Sequence, residues 1–266
     1  MSPRAQPDVL FVVGTDTAVG KTEVTAALLR SLRAEGRNAL AYKPAMSGQD
    51  DPDDVRRLLD ATAPLPGAAD DRAPPTREES CAFFFREPLA PGVAECPEFF
   101  TGAREADPET RSAAIEHAFA HFQRFLDRHR PEIVFVEGAG GLHVPMPGGT
   151  WLEEWIAAFG DRHRARCLVV ARAGLGTLNH SLATFEGLRQ RGLDTIGFLV
   201  SDQARPEITG DRDPSLRTNI EILEQRSGYH CLGRLPHLSS DERTRAMPST
   251  QWLTAAGLER LARRPA

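Results

Sequence analysis

The segment Gly14-Thr15-Asp16-Thr17-Ala18-Val19-Gly20-Lys21-Thr22 limits what this chain can fold into more than any other. It follows the apolar run Asp8 to Gly14, which has the length of a buried strand, and leads into Lys21 to Ala34, which has the composition of a helix. A polar loop between a strand and a helix, closing on Gly-Lys-Thr, is suited to holding phosphate. Loop amides and the helix N-terminus favour an anion, Lys21 reaches terminal phosphates, and the Thr22 hydroxyl is a hard oxygen ligand for magnesium. The strict spacing G-x-x-x-x-G-K-[ST] needs glycine at Thr15, whereas the first glycine here is one residue earlier.

The rest of the chain repeats the strand-then-helix theme. Asn38 to Lys43, Ile133 to Val136, Cys167 to Ala171 and Ile196 to Val200 are short, continuous apolar runs. Helix-length segments lie between them: Asp51 to Ala61, Asp107 to Arg130, Asn179 to Arg191, Ser215 to Ser227 and Gln251 to Arg263. In the second of these, Ile115, Ala118, Phe119, Phe122, Phe125 and Leu126 recur at helical spacing. Continuous apolar strands alternating with helices predict an α/β fold, a parallel sheet with helices on both faces. Thr62 to Ser80, crowded with Pro, Ala, Asp and Gly, reads as a mobile surface loop. Ligands of such sheets bind beyond the carboxyl ends of the strands. There lie Gly14 to Thr22, Lys43 to Asp54, Glu137 to Gly141, Gly174 to Asn179, and Ser201-Asp202.

Composition narrows the partners. The chain has 266 residues, 41% hydrophobic, and a formal net charge of −5 with no basic block, which argues against nucleic acid. Its longest stretch without a charged side chain, Gly138 to Leu152, is rich in Gly and Pro and cannot span a bilayer as a helix. No signal-peptide core precedes the first apolar run, so a cytoplasmic protein without membrane partners is expected. Cys81, Cys96, Cys167 and Cys231 form no C-x-x-C pair and read as buried, reduced thiols. Of 32 basic residues only Lys21 and Lys43 are lysine. An ammonium is a compact charge that follows a phosphoryl group, unlike the planar guanidinium fork.

Glu137-Gly138-Ala139-Gly140-Gly141 begins at the carboxyl end of an apolar run, where a second magnesium-directed carboxylate belongs. Its plain alternative is a glycine turn with a solvated acid. Asp50-Asp51-Pro52-Asp53-Asp54 offers another hard-oxygen ligand, or simply a charged helix start. Amides from Leu175 to Asn179 precede a helix and suit a carboxylate, the plain alternative being a cap by Asn179.

Taken together, GTDTAVGKT at Gly14 to Thr22, YKPAMSG at Tyr42 to Gly48, FREPLAP at Phe85 to Pro91, VEGAGG at Val136 to Gly141 and GLGTLNH at Gly174 to His180 resemble the dethiobiotin synthetase family. The resemblance runs from about residue 8 to about residue 240. It implies a doubly wound, mostly parallel sheet in a single P-loop NTPase-like domain over residues 1–266, and a homodimer that uses ATP and magnesium to join carbon dioxide to 7,8-diaminononanoate, closing a cyclic urea in biotin synthesis. It implies further that Lys21 holds the transferring phosphoryl and that Lys43 stabilises the carbamate. Thr17 and Ser47 would contact carbamate or substrate. Thr22, Asp54 and Glu137 match the magnesium ligands, with Asp53 the alternative to Asp54 in register. Ala18, Val19, Gly20, Glu23, Gly138, Ala139 and Gly140 would contact the nucleotide. Ser201, Asp202, Pro236, His237 and Leu238 would line the base. Leu175, Gly176, Thr177, Leu178 and Asn179 would hold the substrate's far carboxylate across the dimer interface.

The chain departs from the family pattern in places. Ala18 stands where Glu is common, Gly92 where His is common, and Ser201 where Asn reads the base. A single hydroxyl replaces a two-ended amide there, leaving the choice of nucleoside triphosphate open. Rival readings are a related P-loop amide-forming ligase, a partner-regulated P-loop ATPase switch, and a catalytically dead nucleotide-binding paralogue. The switch requires an extra lysine early in the phosphate loop, where this chain has Asp16.

Overall fold

A computed structural model describes residues 6–48, 53–63, 73–202, 213–238 and 251–262. Seven parallel strands form its sheet: β1 (Asp8–Gly14), β2 (Ala39–Ser47), β3 (Cys81–Phe85), β4 (Ile133–Glu137), β7 (Arg166–Arg172), β8 (Thr195–Ser201) and β9 (Cys231–Leu235). Their order is β3-β2-β4-β1-β7-β8-β9, so the chain winds outward in both directions from β1 and β4. A two-stranded ribbon, β5 (Pro145–Met146) with β6 (Thr150–Trp151), lies outside the sheet.

The alternation of side chains along β1 divides the core. Val9, Phe11 and Val13 point to one face and Leu10 and Val12 to the other, all of them buried. The first face is covered by α6 (Pro108–His129), α7 (Leu152–His163), α8 (Thr177–Gln190) and α9 (Asn219–Ser227). There Phe122 packs its ring 5.1 Å from Phe159 and 4.9 Å from Tyr42, and Phe159 meets Phe11 edge-on at 5.9 Å. Burying each such side chain fully contributes about 1.5–3 kcal/mol. The second face is covered by α1 (Lys21–Ala34), through Val24, Leu28 and Leu29, and by Leu261 of α10 (Ala255–Ala262). A doubly wound α/β sheet is thus what the alternating runs built.

Several boundaries differ from expectation. β2 does not end at Lys43 but runs through Ser47, so Lys43 projects from inside a strand rather than from a loop. Thr62 to Ser80 is not uniformly a loop. Thr62 ends α2 (Asp54–Thr62), and Arg77–Ser80 forms α3, started by a reciprocal cap between Thr76 and Glu79. Residues 64–72 of that stretch lie outside the described residues. α2 itself starts at Asp54 rather than Asp51, because Asp53 caps it by accepting the Arg56 N–H at 2.8 Å. α8 begins at Thr177, behind a left-handed Gly176, so Asn179 lies inside the helix and is not its cap. Ser215 to Ser227 divides into a 3₁₀ turn, Pro214–Arg217, and α9, while Gln251 to Arg263 becomes helical only at Ala255. Two further short helices, α4 (Pro91–Glu95) and α5 (Glu98–Thr101), follow β3.

Candidate active site

Strand register brings the chemistry together. Tyr42 pairs with Val136 and Val12 with Glu137, which sets Lys43 of β2 beside Glu137 of β4, one strand from the mouth of the phosphate loop. Lys43 Nζ donates to Glu137 Oε1 at 2.7 Å and to Asp54 Oδ2 at 2.9 Å. Thr22 Oγ1 donates to the same Glu137 oxygen at 2.9 Å. Glu137 is fully buried and Lys43 nearly so, whereas Asp54 is half-exposed. Asp54 therefore faces the site. Asp53 turns away, capping α2 and receiving Arg77 Nη2 at 2.7 Å.

The loop itself is tight. A Cβ on Gly14 would come within 2.7 Å of Gly140 O and 2.8 Å of Lys21 Nζ, so glycine is needed one residue earlier than the strict motif. Gly20 is left-handed at φ 95°, and Ala18 adopts φ 56°, a strained value for a residue with a Cβ. Lys21 Nζ donates to Gly140 O at 2.6 Å and to Asp16 O at 3.3 Å, joining the phosphate loop to the Gly138–Gly141 turn. Asp16 is also held by its side chain. Its Oδ1 accepts the Thr17 N–H at 2.7 Å and its Oδ2 accepts Arg172 Nη2 at 2.7 Å.

The two ammonium groups are tuned in opposite directions. Burial, reinforced by the neighbouring Lys43 charge, lowers Lys21 to about 8. For Lys43 the penalty of burial is outweighed by the Glu137 and Asp54 carboxylates, which hold it above the ordinary lysine value. Burial pushes the Asp54 carboxyl up, but the Lys43 ammonium and its hydrogen bond win and keep it below the usual range.

A second pocket opens beside the loop, lined by Gly20, Glu23, Ser201, Asp202, Leu235, Pro236, His237 and Leu238. Every residue expected to line the base is in it. Asp202 is not free there, since both its oxygens accept from Arg234 of β9, at 2.8–3.1 Å. The residues expected to hold substrate are more dispersed. Ser47 donates to Leu89 O. The turn before α8 leaves Leu175 82% exposed, and its N–H donates to Asp213 Oδ2 at 2.9 Å. His180, in the first turn of α8, lies 3.9 Å from Asp16, so this turn neighbours the phosphate loop. Asp16, Arg172, Asp213 and Arg234 were absent from the sequence-based site. Of these only Arg172 carries a signal, as a charge just past the apolar run Cys167 to Ala171.

Thr22, Asp54 and Glu137 fit magnesium. They supply a hydroxyl and two carboxylates around one point, already occupied by a cation, and Glu137 Oε2 is buried without a partner. Magnesium in phosphoryl-transfer sites uses such hard oxygens together with phosphate.

A glycine-bounded loop, its lysine and an acid on the next strand of a parallel sheet define a P-loop nucleotide-dependent enzyme. An AAA domain family model (AAA_26) matches residues 8–244. Over 85% of its length the chain is 38% identical to the ATP-dependent dethiobiotin synthetase BioD of Anaeromyxobacter dehalogenans strain 2CP-1, covering 89% of that protein. It is 31% identical to the enzyme of the same name from Bacillus subtilis strain 168, over 86% of this chain and 87% of that one. The MinC:MinD cell division protein complex of Aquifex aeolicus shares the fold alone, with a TM-score of 0.56, 12% identity, and coverage of 97% and 98%. The chain belongs to the ATP-dependent dethiobiotin synthetases, and is thus a ligase.

Proposed function

We propose that this chain closes 7,8-diaminononanoate with carbon dioxide into dethiobiotin at the expense of ATP, within one domain. The observation that carries this reading is the pair of buried ammonium groups, Lys21 and Lys43, set on either side of the phosphate-loop mouth near Glu137. A substrate amine captures carbon dioxide as a carbamate, whose oxygen attacks the γ-phosphorus and releases ADP. The second amine then attacks the carbamate carbon of the mixed anhydride and expels phosphate.

The roles follow from charge and position. Lys21 balances charge on the transferring phosphoryl, and Lys43 balances the carbamate and the charge that grows between it and phosphorus. Thr17, at the exposed crest of the loop, and Ser47, at the end of β2, orient the carbamate-bearing end of the substrate. Thr22, Asp54 and Glu137 hold magnesium, which supplies charge neutralisation at the phosphate oxygens. The amides from Gly176 to Asn179 take the substrate's carboxylate, and the exposed Leu175 beside them suits burial against a second copy of the chain. A homodimer in the cytoplasm is the setting we assign. Among the described residues no helix is long and apolar enough to cross a membrane.

The test is direct. Purified protein with ATP, magnesium, bicarbonate and the diamine is expected to release phosphate and form the cyclic urea in equal amounts, read by mass spectrometry. Phosphate without the urea points to a different ligase substrate. The absence of both products rejects the reading.

A further inference from the structure

The two oxygens best placed to hold magnesium are the two that Lys43 already occupies. Glu137 Oε1 and Asp54 Oδ2 lie 2.7 and 2.9 Å from its ammonium, and Thr22 Oγ1 donates to that same Glu137 atom. We infer that Lys43 and the divalent cation compete for these oxygens, so that seating the metal is the step that releases Lys43 to the substrate. This rests on the reading of Thr22, Asp54 and Glu137 as metal ligands.

Three observations support it. Two like charges within about 4 Å repel strongly away from water, so ammonium and metal do not share one pair of carboxylates at full strength. Glu137 is fully buried, and its Oε1 accepts from both Lys43 and Thr22, so a cation arriving at that oxygen meets donors already in place. Lys43 is anchored at its backbone in β2 between Tyr42 and Pro44, while its four-carbon stem leaves the charge free to move. Its charge already reaches Lys21, so the two ammonium groups share one buried mouth. Lys43 would thus be masked until the metal is in place, which ties carbamate stabilisation to a loaded nucleotide.

The experiment is a titration of Mn2+, by electron paramagnetic resonance, into wild type and Lys43→Gln, each with saturating ADP. Removal of the competing charge is expected to tighten Mn2+ binding about ten-fold or more. Unchanged or weaker binding in the variant overturns the competition while leaving the metal site intact. No Mn2+ binding in either protein removes the metal assignment and the inference with it.

Should Lys43→Gln fail to fold, lysine-selective labelling with Lys43 intact answers. The chain has only two lysines, so 15N-lysine labelling gives two side-chain signals, assigned by Lys21→Gln. The Lys43 ammonium protons, held by two carboxylates, are expected to exchange slowly with water, and to exchange rapidly once Mg2+ is added to the ADP complex. Persistent slow exchange at saturating Mg2+ overturns the inference.

Discussion

Arg172, at the end of β7, places Nη2 2.7 Å from the carboxylate of Asp16, in the middle of the phosphate loop. The other oxygen of that carboxylate holds the Thr17 N–H, and the Asp16 carbonyl accepts from Lys21. One guanidinium thus braces the loop from the neighbouring strand. Arg172→Ala is expected to weaken ADP binding by about ten-fold, as befits a charge-assisted contact, and to raise KM for ATP with little change in KM for the diamine. Calorimetry and steady-state kinetics check it. An unchanged ADP affinity removes Arg172 from loop positioning.

Lys21 makes nucleotide binding depend on pH. Burial and the Lys43 charge lower it from 10.5 to about 8, so at pH 9 most folded molecules have lost a proton that phosphate requires. ADP binding should then take up about one proton at pH 9 and far less at pH 7. Between those two pKa values the unfolded chain retains the proton that the folded one has lost. Folding stability therefore gains from this group as pH rises through that window. Titrations in buffers of different ionisation enthalpy measure the uptake, and equal uptake at both pH values would falsify the assignment.

Lys43→Arg keeps the charge but not its shape. The guanidinium fork does not reproduce an ammonium held between two carboxylates, so turnover is expected to fall by about 100-fold or more while ADP binding persists. Near-normal turnover would show that a positive charge alone suffices there.

Cysteine chemistry separates surface from interior. Burial raises Cys81 and Cys167 to about 12 and Cys231 to about 11, leaving them as inert thiols. Cys96 is half-buried, near Glu98 and Arg104. A thiol reagent is expected to modify Cys96 alone in the native protein, and all four after unfolding, as counted by mass. Rapid labelling of a second cysteine contradicts the core packing.

The elements that were legible in the sequence are those whose local pattern and tertiary role agree. β1, β4, β7 and β8 have apolar interiors, with charges only at their ends, because both faces are covered, and the phosphate loop carries its own grammar of glycine, lysine and threonine. β2 is legible only as far as Lys43, since Pro44 cannot donate to a ladder, yet the pairing with β3 resumes at Ala45 opposite Phe83. β3 itself, at the sheet edge and only partly buried, is preceded by a proline-rich stretch that resembles a loop. β9 carries Gly233 and Arg234, which interrupt the apolar signal.

Within the site, Lys21, Thr22 and Glu137 are legible from residue type and order, while Lys43 and Asp54 take their places from the family resemblance, and the five do meet. Asp16 with Arg172, and Asp202 with Arg234, pair residues that are distant in the chain, and nothing in local spacing announces them. The Gly92 departure has a packing reason. A Cβ there would fall 2.4 Å from Met146 O, so α4 approaches β5 too closely for any larger residue.

Both lysines are buried, at 8% and 4% exposure, and the chain has no others. Its surface therefore presents almost no primary amine other than the chain's own amino end. Free amines react reversibly with dissolved carbon dioxide, and on most proteins many lysines compete for that reaction. Here the gas has nearly nothing on the outer shell to modify, and acylating labels or amine cross-linkers will find the folded molecule close to unreactive.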